Sequence, residues 1–153
     1  MIFKTTLARK NVKKPSIKSA KKKAWDTFSK WVRLSNADSD GYVWCYCGKK
    51  IHWKESHASH LIPGRGNAIL FDERGVYPSC MQCNIFKAGN LLEYMKFLER
   101  KLGVAEAIKL RDELLIQSKQ IKKMRIADYN DITEIYKEKI KNLQGHKINR
   151  RMR

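Results

Sequence analysis

The amino-acid sequence predicts an α+β fold in which a small core of short strands lies between helical regions. Apolar residues recur at helical spacing over residues 16–36, and they do so again over residues 103–145. Between these segments, over residues 37–102, short apolar runs alternate with turn residues, and two pairs of cysteines occur. We therefore expect an N-terminal helix, a core that contains the cysteines, and a C-terminal helical region.

The charge of the chain points to a polyanionic partner. Its 153 residues are 42% hydrophobic and 10% aromatic, which is enough to bury a modest core. They include 33 Lys and Arg against 15 Asp and Glu, for a net charge of +18. Nucleic acid is the expected partner of such a chain. A flexible basic arm over residues 1–15 and a basic tail over residues 146–153 are predicted to extend this charge.

A membrane location is not expected. No stretch approaches the roughly 18 apolar residues that span a bilayer. Lys and Asn interrupt the basic N-terminus where the apolar part of a signal sequence would follow. We therefore expect an intracellular protein. In that reducing compartment, four cysteines favour metal binding over disulfides.

The N-terminal helix is expected to begin at Ser16 or Ser19, either of which can cap it. Its apolar residues recur at helical spacing, at Ala24, Trp25, Phe28, Trp31, Val32 and Leu34. Its first turns carry three consecutive lysines, Lys21, Lys22 and Lys23. These lysines are predicted to contact nucleic-acid phosphates, and a solvated charged face is the alternative.

Four short strands and three further helices are expected after a turn-rich break at residues 36–41. The strands lie at residues 42–45 and 51–53, which form a hairpin, near His60-Leu61, and at residues 76–77. The pattern becomes helical from Asn84 onward. The first of these helices is expected to end near Gly103, and the other two cover residues 104–117 and 128–143. The last helix places Ile132, Ile135, Tyr136 and Ile140 on one face, as a core or dimer contact would.

The four cysteines form two closely spaced pairs, Cys45 with Cys47 and Cys80 with Cys83. Four thiolates satisfy a tetrahedral structural zinc site. A rival zinc site would combine the first pair with His57 and His60. Only two residues separate these histidines, below the usual range of about three to five, and this site would leave the second cysteine pair unused. The sequence therefore favours the four-cysteine site.

Several short motifs occur in a fixed order along the chain: Cys45…Cys47-Gly48, Ser59-His60, Phe71-Asp72-Glu73-Arg74, Cys80-x-x-Cys83-Asn84 and Lys87-x-Gly89-Asn90. This ordered set resembles the NinG/Rap recombination endonucleases of lambdoid phages over about residues 45–115. More broadly, it is similar to the HNH, or ββα-metal (His-Me finger), nucleases, which include phage endonuclease VII.

The resemblance implies a zinc-stabilised ββα-metal (HNH) core, in which a hairpin and the following helix surround one catalytic Mg²⁺ or Mn²⁺. It implies that His60 is the general base and that Asn84 binds the catalytic metal. The implied activity is cleavage of branched DNA, such as Holliday junctions and D-loops, in the cytoplasm of a bacterial host during phage recombination. A homodimer is expected, because cutting both strands of a junction needs two active sites.

The chain departs from the family pattern at several positions. The first cysteine pair is C-x-C where NinG-like proteins have C-x-x-C, and Ser59 precedes His60 where many HNH enzymes have an acid or a histidine. The middle Asn of the HNH pattern falls at Gly75, so another group or a backbone carbonyl must orient His60. His57 stands where the lambdoid relatives carry Asp, and it is the expected second ligand of the catalytic metal. Arg65 and Lys87 flank the site and are expected to contact DNA phosphates.

The expected reaction is hydrolysis of a phosphodiester by an activated water. An imidazole with a pKa near 6.5 suits proton abstraction at neutral pH. Two alternatives stay open: a sequence-preferring HNH homing or restriction-type nuclease, and a zinc-stabilised nucleic-acid-binding module without catalysis. Comparing the cleavage of four-way and linear DNA distinguishes the sequence-preferring nuclease from the branch-selective one. Metal-dependent cleavage of any DNA excludes the binding module without catalysis.

Overall fold

The computed structural model describes residues 15–64 and 66–151, with residues 145–151 described by their backbone alone. Arg65, both ends of the chain and therefore most of the predicted basic arm lie outside the described residues. The described part has an α+β fold, as predicted. Its elements, in order, are α1 (Ile17–Ser35), β1 (Tyr42–Trp44), β2 (Lys50–His52), β3 (His57–His60), β4 (Val76–Ser79), α2 (Leu91–Leu102), α3 (Val104–Ser118) and α4 (Ile126–Arg151).

Helix α1 begins at a reciprocal cap, which confirms one of the two predicted caps. The Ser16 hydroxyl accepts a hydrogen bond from the Ser19 backbone N–H at 3.1 Å, and the Ser16 N–H donates to the Ser19 hydroxyl at 3.0 Å. This arrangement satisfies two groups that a helix start otherwise leaves unpaired. The buried face of α1 repeats every four residues, at Ala20, Ala24, Phe28 and Val32.

Helix α4 packs along this buried face of α1. The rings of Phe28 and Tyr136 meet edge to face with centroids 4.8 Å apart, and Ile140 is also buried. Ile135 is 54% exposed, so the prediction that it shares this face is wrong. The helix continues to Arg151, beyond the predicted end at residue 143.

The four predicted strands form two separate antiparallel ribbons. In the first, β1 pairs with β2, and the connecting turn carries the first cysteine pair. In the second, β3 pairs with β4 so that His57 faces Ser79 and His60 faces Val76. Helix α1 contacts both strands of this second ribbon and therefore lies beside His60.

The sequence predicted a continuous helical pattern from Asn84, and this prediction is wrong. A π-helical turn, Gln82–Phe86, is followed by three residues with left-handed backbone, Ala88, Gly89 and Asn90. The Gly89 N–H donates to the Cys83 carbonyl at 2.8 Å, which closes the chain into a loop. The α-helix therefore resumes only at residue 91.

Helices α2 and α3 pack over the first ribbon and the cysteines to form the main core. Its buried side chains include Val43, Ile51, Tyr94, Leu98, Ala107 and Leu114. Gly75 lies under α3 so closely that a Cβ there would be 2.7 Å from the Leu114 Cδ1. Among the described helices, none is both long and apolar enough to cross a bilayer.

Candidate active site and metal centre

The four cysteine sulfurs converge at the junction of the two ribbons. All four Sγ atoms lie within 4.8 Å of one another, and neither His57 nor His60 belongs to this group. The Cys47 and Cys80 sulfurs are 3.9 Å apart. Because Zn–S bonds are about 2.3 Å long, a tetrahedral zinc would place sulfurs about 3.8 Å apart. The cluster can therefore hold a metal ion such as zinc.

Neighbouring N–H groups point at the sulfurs of this cluster. The Asn90 side-chain amide donates to the Cys83 sulfur at 3.2 Å, and the Cys83 backbone N–H donates to the Cys80 sulfur at 3.4 Å. Such bonds stabilise thiolates, as the outer shell of a metal site does. Burial raises the pKa of the Cys45 thiol, and a bound cation would offset that cost by favouring the thiolate.

A cleft of about 340 Å³ lies beside β3 and brings the predicted catalytic residues together. His57 and His60 at the two ends of β3 line it, with Asn84 from the π-helical turn. Trp25 and Ser29 of α1 form part of its wall. The elements thus gather side chains that are far apart in sequence, such as Trp25 and Asn84, which are 59 residues apart.

The His60 ring is held on two sides. Its Nε2 lies 3.0 Å from the backbone carbonyl oxygen of Leu70, and its ring stacks on Trp25 with centroids 4.9 Å apart and planes 20° apart. Since a carbonyl oxygen only accepts, Nε2 carries the hydrogen and the lone pair of the neutral ring is on Nδ1. A backbone carbonyl therefore orients His60, which is one of the two possibilities predicted from Gly75.

The segment that supplies the Leu70 carbonyl is braced from several directions. The Leu70 N–H donates to the Gly66 carbonyl at 3.0 Å, and the Leu61 N–H donates to the Gly75 carbonyl at 2.8 Å. The buried Tyr94 hydroxyl donates to the same Gly75 carbonyl at 3.1 Å. The close approach of α3 explains why residue 75 is glycine, since even a methyl group would clash there.

Asn84 is positioned by the cysteine cluster and by β3. It directly follows Cys83, and its Oδ1 accepts a hydrogen bond from the Ser59 hydroxyl at 2.6 Å. Ser59 is buried and lies 2.5 Å, oxygen to oxygen, from the Ser79 hydroxyl on β4. This chain of hydroxyls fixes the amide next to the cleft.

The donor set in the cleft fits a single divalent cation with few protein ligands. The Asn84 Oδ1 has a second lone pair beyond the one that Ser59 uses, and the His57 imidazole offers a nitrogen. None of the described residues that line the cleft is a carboxylate. A cation bound there would complete its coordination with waters and phosphate oxygens.

The predicted DNA-contacting lysines of α1 divide between two sides of the helix. Lys21 lies one turn before Trp25 and therefore on the cleft side. Lys22 and Lys23 line a groove between α1 and α4, and the Lys22 ammonium lies 2.5 Å from the carboxylate of Asp26. The three residues therefore do not form one surface.

Of the two other predicted phosphate contacts, Lys87 is exposed and adjoins Ala88, which lines the cleft. Arg65 lies outside the described residues. The sequence did not predict Trp25 as a site residue, and it did not predict that Leu70 supplies the carbonyl that orients His60. Trp25 has the helical spacing of a core residue, so its position in the sequence does not indicate a site. A main-chain carbonyl is present at every residue, so a sequence pattern cannot identify the one that binds His60.

The fold and site define a small α+β protein with a four-cysteine centre beside a histidine-lined cleft. The family model described as Bacteriophage Lambda NinG protein matches residues 4–146. The chain therefore belongs to the NinG family, which implies a role related to phage recombination. Comparison with the curated proteins gave no match, and comparison with the solved structures gave none either.

Proposed function

We propose that the protein is a metal-dependent endonuclease that cleaves branched DNA, including Holliday junctions and D-loops. The observation that carries the proposal is the cleft in which His60 is oriented by the Leu70 carbonyl and faces the same space as His57 and Asn84. Membership of a recombination-related phage family and a net charge of +18 support DNA as the substrate.

His60 acts as the general base. Its Nδ1 takes a proton from the attacking water, because Nε2 already donates its hydrogen to the Leu70 carbonyl. As the ring gains positive charge, the hydrogen bond to that carbonyl becomes charge-assisted and strengthens. Stacking on Trp25 holds the plane of the imidazole, so Nδ1 keeps one direction during proton transfer.

Asn84 and His57 would hold the catalytic Mg²⁺ or Mn²⁺ through the amide oxygen and the imidazole. When bound, this cation supplies electrostatic stabilisation of the negative charge that develops on the leaving oxygen. Ser59 orients the Asn84 amide through its hydroxyl, and Ser79 orients Ser59. The four cysteines would hold a structural zinc, and their cluster keeps Asn84, which directly follows Cys83, in register with β3.

Two copies of the chain act together in this proposal, because the two strands of a junction are cut at separate sites. Lys21 on the cleft side of α1, together with Arg65 and Lys87, would contact phosphates next to the cleaved bond. The apolar face of α4 is already used against α1 within one chain. Sedimentation of the protein with and without a junction tests the dimer.

A cleavage assay on matched substrates tests the proposal. A four-way junction, a D-loop and a linear duplex of the same sequence are incubated with the protein and Mg²⁺, Mn²⁺ or no divalent cation. Metal-dependent nicking of the branched substrates in preference to the duplex is expected. Equal cleavage of the linear duplex would instead indicate a sequence-preferring nuclease. Binding without any cleavage would indicate a nucleic-acid-binding module.

A further inference from the structure

The turn between the cysteine cluster and α2 presents an apolar surface to solvent. Its large side chains are strongly exposed: Met81 53%, Ile85 56%, Phe86 76%, Leu91 50% and Leu92 67%. Exposed apolar side chains that cluster in one segment commonly mark a binding surface. Phe86 projects the largest of these groups.

The backbone around Phe86 is pinned to the rest of the molecule. The Lys87 N–H, directly after it, donates to the Gln82 carbonyl at 2.9 Å. The buried Tyr46 hydroxyl donates to the Gly89 carbonyl at 2.6 Å, and the Asn90 amide donates to the Cys83 sulfur. The ring is therefore carried by a turn with fixed anchors, so little backbone entropy opposes its use in binding.

The same turn borders the candidate active site. Asn84, two residues before Phe86, lines the cleft, and so do Ala88 and Gly89 after it. Lys87, the next residue along the chain, is exposed and adds a cation to this turn. A DNA strand whose backbone enters the cleft therefore passes next to an exposed aromatic ring that adjoins a positive charge.

The charge of the molecule favours DNA over a second copy of the chain as the occupant of this surface. Without DNA to neutralise their charge, two copies that each carry +18 repel one another, so the proposed dimer needs the junction, whereas a polyanion is attracted to a single copy. An exposed aromatic ring and a cation on consecutive residues match the chemistry of a nucleotide, since a base can stack on the ring while its phosphate meets the cation.

We propose that Phe86 stacks on a base at the branch point of the DNA and thereby determines the preference for branched over linear substrates. This inference rests on the proposed nuclease function. In a linear duplex, every base is stacked on its neighbours, so the ring would have to separate two of them. At a branch point a base has already lost a neighbour, so the ring can take its place at lower cost.

The test uses a four-way junction with 2-aminopurine at the branch point, and His60→Ala protein so that the DNA stays intact. Introducing Phe86→Ala into the His60→Ala protein is expected to abolish the change in 2-aminopurine fluorescence on binding. It should also weaken junction binding about tenfold, which is within the range for one stacked base. Phe86→Tyr, which keeps the ring, is expected to restore both. Ile116→Ala, a similarly exposed apolar residue on α3 and outside this surface, is the matched control and should change neither.

In the otherwise wild-type protein, Phe86→Ala should lower the ratio of junction to duplex cleavage about tenfold and leave duplex cleavage unchanged. If Phe86→Ala matches the wild type in fluorescence and in this ratio, the inference is wrong. If Phe86→Ala changes only the oligomeric state, the surface is a contact between copies, and the inference is also wrong. If the wild-type protein cleaves no substrate, the proposed function fails, and the fluorescence still decides the role of Phe86.

Discussion

At the scale of single residues, the proposed chemistry depends on a histidine that is held in one tautomer. The Leu70 carbonyl can only accept a hydrogen bond, and this fixes the hydrogen of neutral His60 on Nε2. Trp25 limits the ring to one plane. The supporting contacts come from main-chain groups and from a helix far away in sequence, so the base is positioned by the fold itself.

Gly75 links this site to the packing of α3. Replacing it with alanine would place a Cβ 2.7 Å from the Leu114 Cδ1, and we expect a loss of about 1–3 kcal/mol in the free energy of unfolding. Urea denaturation measures this loss. Gly66→Ala is the matched control, because its nearest neighbour is 3.9 Å away. A Gly75→Ala protein as stable as the wild type would show that α3 is not packed against this turn.

At the scale of elements, the strands and helices were largely predictable because each follows from local periodicity and turn residues. The exception at residues 88–90 has a physical cause. Its left-handed backbone is stabilised by bonds to Cys83 and Tyr46, which spacing along the chain does not reveal. The pairing of Trp25 with His60 was unpredictable for the same reason, since it depends on how α1 meets the second ribbon.

The cysteine cluster joins the first ribbon to the turn that carries Asn84. We expect one zinc ion per chain, measured by atomic emission after dialysis, and its loss in Cys83→Ser. His57→Ala and His60→Ala should retain the zinc, because neither histidine belongs to the cluster. Removal by a chelator should lower the free energy of unfolding by several kcal/mol, about 3 or more. Loss of zinc in either histidine variant would contradict the four-cysteine site.

The loop between β3 and β4 contains an ion pair that responds to pH, Asp72 with Arg74, and Arg74 also pairs with Glu113 of α3. Burial alone would raise the pKa of Asp72, but the hydrogen bonds and charge of Arg74 outweigh it and hold that pKa below its usual value. A carboxyl with a lowered folded pKa stabilises the protein above its unfolded pKa, about 3.9, and this contribution disappears as pH falls through the folded pKa.

Asp72→Asn should therefore cost about 1 kcal/mol of unfolding free energy at about pH 7, with a smaller difference at about pH 3. Urea denaturation at both pH values measures the effect. Asp131→Asn, on the exposed side of α4, is the control. A cost for Asp72→Asn that is equal at both pH values would show that the ion pair is not its source.

At the scale of the whole molecule, α1 has a different role on each side. One side forms a wall of the cleft through Trp25 and Ser29, and the other packs against α4. The net charge of +18 predicted a polyanionic partner from composition alone. Which lysines lie beside the cleft could not be read from the run of three, because neighbouring helical residues point in different directions.

Lys21→Ala is expected to weaken junction binding and to reduce the slope of log affinity against log salt by about one. Lys23→Ala, on the α4 side of the same helix, should have a smaller effect on both. Fluorescence anisotropy at several salt concentrations measures the two slopes. If only Lys23→Ala weakens binding, the DNA follows the groove between α1 and α4 and not the cleft.

The proposed role of His60 is tested most directly by the single-turnover rate at which the wild type and His60→Ala cleave a four-way junction. We expect His60→Ala to lower this rate by about 10²–10⁴-fold with unchanged junction affinity and zinc content. His52→Ala, at the end of β2 and outside the cleft, should cleave like the wild type. A His60→Ala protein that cleaves at the wild-type rate would contradict the central claim.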